Sequence, residues 1–295
     1  MSGPFTLTLG LDLRPQTTGA VQYALWLCNE ANLQPAGHVH AVHVIEPEAM
    51  VELIRHAEEE TILGAFERRG KEILDEVAHG AHLHPPKVVG GDAIELLEDI
   101  ARANGSTALV ISRRANSDAV MSFPRLGSIA RRLLRRLKLP IIVAPPELLP
   151  SAVGEGPVVV AVDFTEGSKR AVDWAQAFAD TIHRSIRLVH FADMPDQIGY
   201  AGVLQAERWD ELCEEILAHG RDRMAKFIDG YGLTHTDTAV LRGPVLPALG
   251  DYADAMKACL VVTGSGHHGL LHRVIVPSVA SETAAFSPTP VAVVP

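Results

Sequence analysis

The chain repeats itself. "TLTLGLDLRPQTTGAVQYAL" near its start aligns with "PVVVAVDFTEGSKRAVDWAQ" in its second half, placing Asp12 over Asp163. "AVHVIEP" then aligns with "LVHFADMP", with His43 over His190. "VVGGDAIELLEDIARANGSTALVIS" aligns with "VLRGPVLPALGDYADAMKACLVVTG", and "LPIIVAPP" with "TPVAVVP", setting Pro140 over Pro290. Four matches in one order define a period of about 150 residues, so the fold is one that the chain builds twice. The stretch "ELLPSAVGEGP", rich in Pro, Gly and small residues, reads as the junction. Domains are expected over residues 1–148 and 157–295, with a linker over 149–156.

Within a half, short β-branched runs alternate with helical patterns. "PVVVAV" reads as a strand, and "SKRAVDWAQAFADTI" as a helix with Ala171, Trp174, Ala175 and Phe178 at helical spacing. Strand "IRLVHFA", a long charged helix through "ERWDELCEEILAHGRDRMAKFIDGY", strand "TDTAVLRG", helix "PVLPALGDYADAMK", strand "CLVVTG", helix "SVASETAAF" and strand "PVAVV" complete the unit. Nearly continuous apolar strands between helices imply a parallel sheet covered on both faces. The fold class is therefore α/β, with two doubly wound, open, parallel five-stranded sheets. Strands "PIIVAP" and "PVAVV" are apolar on both faces and would leave a sticky edge, so the halves are expected to pack through them as an internal pseudo-dimer. A homodimer of whole chains is the further assembly open to it.

Of the 295 residues 47% are hydrophobic, enough for two cores, and the formal charge of −10 argues against nucleic acid as a partner. No apolar run reaches the roughly 18 residues of a membrane span, and "MSGPFTLTLGLDLRP" carries no basic export signal. Cys28, Cys213 and Cys259 are widely spaced and form no C-x-x-C pair, which suits buried thiols in a reducing cytoplasm.

"GSGHHG", residues 264–269, has the letters of a dinucleotide-binding turn. That fingerprint belongs to the first strand–helix turn of its unit, with an acid about 20 residues on. Here it follows the fourth strand, and "LLHRVIVP" separates it from the next helix, so NAD is excluded on context. Two readings stay open: an anion cradle of backbone N–H groups beside a helix N-terminus, or a tight turn with Ser278 as an ordinary cap.

The strand ending in Asp163, the "RGP" turn at 242–244, and Gly264 followed thirteen residues later by Pro277-Ser278 together resemble a universal stress protein domain. The resemblance covers both halves, and the chain looks like a tandem of two such domains. Members that bind ATP carry G-x2-G-x9-G-[S/T] after the fourth strand for the phosphates, and an Asp at the end of the first strand near adenine and ribose. The resemblance implies an adenine nucleotide as ligand, ATP or another. It implies as site residues Asp163, Gly264, His267, Ser278 and Val279 in the second half, with Asp12, Gly127 and Ser128 in the first.

Both halves depart from the pattern. His267 and Pro277 stand at the second and third glycines of the second half, and proline offers no N–H. In the first half Ser112 and Ala115 replace the leading glycines and the loop is two residues longer, while Arg113, Arg114 and Arg125 offer charge instead. The second half, with its spacing intact, is the favoured site, and a shorter phosphate chain is expected to suit it better than a triphosphate.

The run "RRLLRRLK", 131–138, reads as a solvated helix face. Three histidine clusters stand out (His38, His40, His43; His79, His82, His84; His267, His268, His272), and His38 and His40 read as sharing one strand face, but no cysteine or paired acid lies at metal-site spacing beside them, so no metal is expected. No P-loop, G-x-S-x-G elbow or H-E-x-x-H occurs, so catalysis is not expected, slow ATP hydrolysis aside. Two functions follow from the resemblance. One is a stress-response regulator or chaperone-like factor that binds adenine nucleotide and changes its contacts with a protein partner. The other is an interaction scaffold of the same fold without nucleotide.

Overall fold

The computed structural model describes residues 5–14, 18–78, 80–113, 126–195, 206–233, 236–265 and 279–295. The first half runs β1 (Leu7–Leu11), α1 (Thr18–Glu30), α2 (Pro35–His38), β2 (Val39–Ile45), α3 (Pro47–Leu53), α4 (Glu59–Ala78), β3 (Lys87–Gly90), α5 (Ala93–Ala103), β4 (Ala108–Ser112), α6 (Ser128–Arg136) and β5 (Ile141–Ala144). The second runs β6 (Val158–Ala161), α7 (Glu166–Thr181), β7 (Ile186–Ala192), α8 (Ala206–Tyr231), β8 (Asp237–Arg242), α9 (Val245–Ala255), β9 (Leu260–Gly264), α10 (Val279–Phe286) and β10 (Val291–Val294).

The strands form one sheet in the order β3-β2-β1-β4-β5-β10-β9-β6-β7-β8. Every pairing is parallel except β5 with β10, where Val143, Ile142 and Ile141 face Val291, Ala292 and Val293. The two five-stranded parallel sheets are thus joined edge to edge about a pseudo-twofold axis, through the last strand of each half. Pairing these edges removes the unsatisfied N–H and C=O rows that such apolar strands would otherwise present.

Strand residues alternate between two apolar layers, each continuous through both halves. Leu7, Leu9, Ile142, Val158, Val160, Ala292 and Val294 face the layer under α1, α4, α7 and α8. Ile141, Val143, Val159, Val261, Val291 and Val293 face the layer under α5, α6, α9 and α10. With both faces covered, the period of two that separates inside from outside carries no polar signal, so the strands read as unbroken apolar runs.

The junction is packed rather than loose. Gly156 N–H donates to Lys257 O at 2.7 Å, and a Cβ at Gly154 would stand 2.0 Å from that same carbonyl. All three cysteines are free and buried, and burial pushes the Cys28 thiol up to about 11 and Cys259 up to about 12.

Candidate functional site

In each half the strand order reverses beside the first strand, between β1 and β4 and between β6 and β9. Open α/β sheets bind ligands at the carboxyl ends of the strands at this point. In the first half a cleft of about 250 Å³ opens there, with Asp12, Arg14, Glu46, Ser112, Gly127 and Ser128 around it and Val42, Leu97 and Ile111 among its apolar walls. The Asp12 carboxylate accepts the Arg14 N–H at 2.9 Å and is exposed. Gly127 is the extended N-cap of α6, and among the described residues no side chain caps the first N–H groups of that helix. Those groups and the positive end of the helix dipole therefore face the cleft. Glu46 pairs with Arg132 of α6 at 2.6 Å. Asp12, Gly127 and Ser128, far apart in sequence, stand together.

The second half holds its aspartate differently. Asp163 Oδ1 accepts from Ser168 Oγ at 2.5 Å, Thr165 Oγ1 at 2.6 Å and Thr165 N–H at 3.0 Å. Burial would raise this carboxyl, but the hydroxyls of Ser168 and Thr165 and the Thr165 N–H outweigh it and hold Asp163 below the usual carboxylate range. Thr165 is also the N-cap of α7. Gly264 ends β9 against the start of α7: a Cβ there would stand 2.5 Å from the carbonyl of Gly167. This close approach requires glycine whether or not a phosphate binds. His267 and Ser278, with Pro277, lie outside the described residues; Val279, which opens α10, is exposed.

Arg113 does not serve the cleft as free charge. Its guanidinium crosses to the second half and donates to Ala285 O at 2.7 Å and Ser287 O at 3.0 Å, at the carboxyl end of α10. Arg114 and Arg125 lie outside the described residues. Several of the histidines have partners within the fold. His38 ends α2 rather than standing on β2, so it does not share a strand face with His40, and its Nδ1 lies 2.6 Å from Phe5 O. His43 Nδ1 lies 2.8 Å from Leu11 O, and His190 Nδ1 lies 2.8 Å from Val162 O. His82 and His84 meet edge to face at 5.6 Å. Among the described residues no group of three or more His, Cys, Asp or Glu is placed to hold a metal; His79, His267, His268 and His272 lie outside them.

The sequence profile of the universal stress protein family matches residues 6–145 and, again, residues 156–295. The chain belongs to the universal stress protein family. It carries two of the family's domains in tandem. Its fold is similar to that of a universal stress protein from Archaeoglobus fulgidus, 18% identical with a TM-score of 0.59, covering 98% of this chain and 97% of that one. It is also similar to a functionally unknown protein from Pseudomonas aeruginosa, 14% identical with a TM-score of 0.63, covering 98% of this chain and 92% of the other. No curated protein matches it in sequence. Among the described residues no helix is long and apolar enough to cross a membrane.

Two contacts of this tandem member differ in how far the residues announce them. The clamp on Asp163 was signalled in "DFTEGS", where Thr and Ser fall two and five residues after the Asp, the spacing of a turn feeding a helix cap. The reach of Arg113 had no local signal. The run "RRLLRRLK" is the solvated face expected of it, with all five cations exposed, and three of the five also meet acids on neighbouring elements: Arg132 with Glu46, Arg136 with Glu95 at 3.7 Å, and Lys138 with the buried Glu98 at 2.7 Å.

Proposed function

We propose that this chain is a stress-response regulator that binds an adenine nucleotide in the cleft of its first domain. The observation that carries the reading is the convergence of Asp12, Gly127 and Ser128 on one cleft at the strand-order reversal. The second half was favoured on spacing. The first is favoured here because its described residues enclose a space, whereas Asp163 and Gly264 have structural partners of their own. The apolar walls Val42, Leu97 and Ile111 suit the faces of a purine. Asp12 suits a hydroxyl or amino donor, and the open N-terminus of α6 with Ser128 suits a phosphate. Binding, not catalysis, is what is proposed for the cleft.

The test is calorimetry of the full chain with ATP, ADP and AMP, together with a mass spectrum of small molecules extracted from the purified protein. Heat from at least one nucleotide, weakened about tenfold by Ser128→Ala and by Asp12→Asn, is expected, each change removing one charge-assisted hydrogen bond. No heat from any of the three and no nucleotide in the extract would leave the scaffold reading. That second reading draws on the second half, where Gly264 and Asp163 are accounted for by packing and capping.

A further inference from the structure

The aspartates at the ends of β1 and β6 sit in the same three-residue arrangement twice. The carbonyl before each, of Leu11 and of Val162, lies 2.8 Å from the Nδ1 of His43 and of His190. A carbonyl has no proton to give, so Nδ1 carries the hydrogen and the histidine donates. The residue after each aspartate has a left-handed backbone, Leu13 at φ 55° and Phe164 at φ 67°. That region favours glycine, and neither residue is one. The left-handed residue turns the chain away from the strand, leaving the carboxylate at the carboxyl edge of the sheet.

Each ring is held from the side. His43 stacks on Phe66 of α4 at 5.3 Å and 10°. His190 lies 4.4 Å from the Phe164 ring. Burial keeps both imidazoles below the usual histidine range, each against the pull of its carbonyl bond and its neighbouring aspartate, and for His190 with the help of Arg223.

The two halves have diverged around this arrangement. Ser112 stands against Gly264 at the end of the fourth strand, Gly127 against Pro277 at the last motif glycine, and Asp92 against Pro244 at a helix N-cap. The histidine, the aspartate and the left-handed residue are kept in both. In the first half the Asp12 carboxylate, among the described residues, accepts a local turn bond from Arg14 and stands at the cleft. We infer that His43 is a positioning residue of the first-domain ligand site, fixing the direction of the aspartate that follows the carbonyl it holds, and that His190 fixes the same turn in the second domain. The inference rests on reading Asp12 as ligand-facing; Asp163 turns to its own hydroxyl partners.

The test compares two uncharged replacements. Asparagine can place an amide N–H where Nδ1 stands; glutamine reaches the Nε2 position and cannot donate to the carbonyl. Backbone ¹⁵N relaxation of the full chain at neutral pH needs no ligand. Wild type and His190→Asn are expected to keep order parameters near 0.85 at residues 163–165, and His190→Gln to fall toward about 0.6 there alone. AMP calorimetry on the first-domain cleft is the second arm, with His43→Gln expected to weaken binding about tenfold and His43→Asn less than about threefold, as for one hydrogen bond lost or kept. Unchanged order at 163–165 in His190→Gln, or unchanged AMP affinity in His43→Gln, overturns the inference. If wild type takes up no AMP, the nucleotide reading falls, while the relaxation of His190→Gln against His190→Asn still decides whether the histidine positions the turn.

Discussion

Tyr23 on α1 and Trp174 on α7 occupy equivalent places in the two domains, and each donates a hydrogen bond into the other. Tyr23 Oη gives to Cys259 O at 3.0 Å, and Trp174 Nε1 gives to Thr107 O at 3.2 Å. Thr107 and Cys259 themselves precede β4 and β9, so the exchange follows the pseudo-twofold axis of the β5–β10 ladder. Phe5 and Phe178 meet beside it at 5.6 Å. Burial is the larger cause that drives the Tyr23 hydroxyl well above its usual range, so it remains a proton donor at any physiological pH.

The domains should therefore unfold together. Tyr23→Phe leaves the Cys259 carbonyl without its donor in a dry layer, and we expect a loss of about 1–3 kcal/mol in urea unfolding, in one transition. Two separated transitions, with only one sensitive to Tyr23→Phe, would contradict the continuous core.

Gly264→Ala should destabilise the chain with no nucleotide present. Its Cβ would fall 2.5 Å from the Gly167 carbonyl, and backbone cannot yield as a flexible side chain can. Thermal melting of the ligand-free protein is expected to drop, by a midpoint shift corresponding to about 1–3 kcal/mol. An unchanged melting point would show that α7 and β9 approach less closely.

Arg113→Ala removes two charge-assisted bonds to the end of α10. We expect a cost of about 2 kcal/mol, with faster amide exchange in residues 279–287 of the opposite domain. Arg113→Lys should recover part of it, since one ammonium can reach only some of what the planar fork spans. Exchange confined to the first domain would rule out this tie.

Acid should weaken the fold in two stages. His43 and His190 are held below the ordinary histidine value, mainly by burial, so below pH about 6.5 the unfolded chain binds protons that the native chain refuses. Stability then declines as pH falls from about 6.5 toward their lowered native values. Asp163, held low by its hydroxyl partners, contributes stability above about pH 3.8 that disappears as pH falls through its native value. Melting temperature measured from pH 8 to 3 checks both limbs, and a rise in stability between pH 7 and 5 would reverse the sign assigned to the histidines.

The doubling, the alternation of strands and long helices, and the edge at which the halves meet are legible in the residues alone. These features rest on short-range apolar periodicity and on repetition: β7 falls on "IRLVHFA", and β5 and β10 are apolar on both faces because each is covered by helices above and below. The candidate residues Asp12, Gly127 and Ser128 were also legible as letters, though not as neighbours. Which side chain meets which partner is set by packing across the sheet. Arg113 was read as charge for a phosphate, yet the pseudo-twofold packing carries it to Ala285 and Ser287. Gly264 was read as a phosphate turn, yet the helix of its own domain lies against it. His38 was placed on a strand, yet Pro35 opens a helical turn that ends at it. In each case local pattern specified the backbone element, while the partner was set by how elements distant in sequence close over the sheet, a geometry that no local spacing encodes.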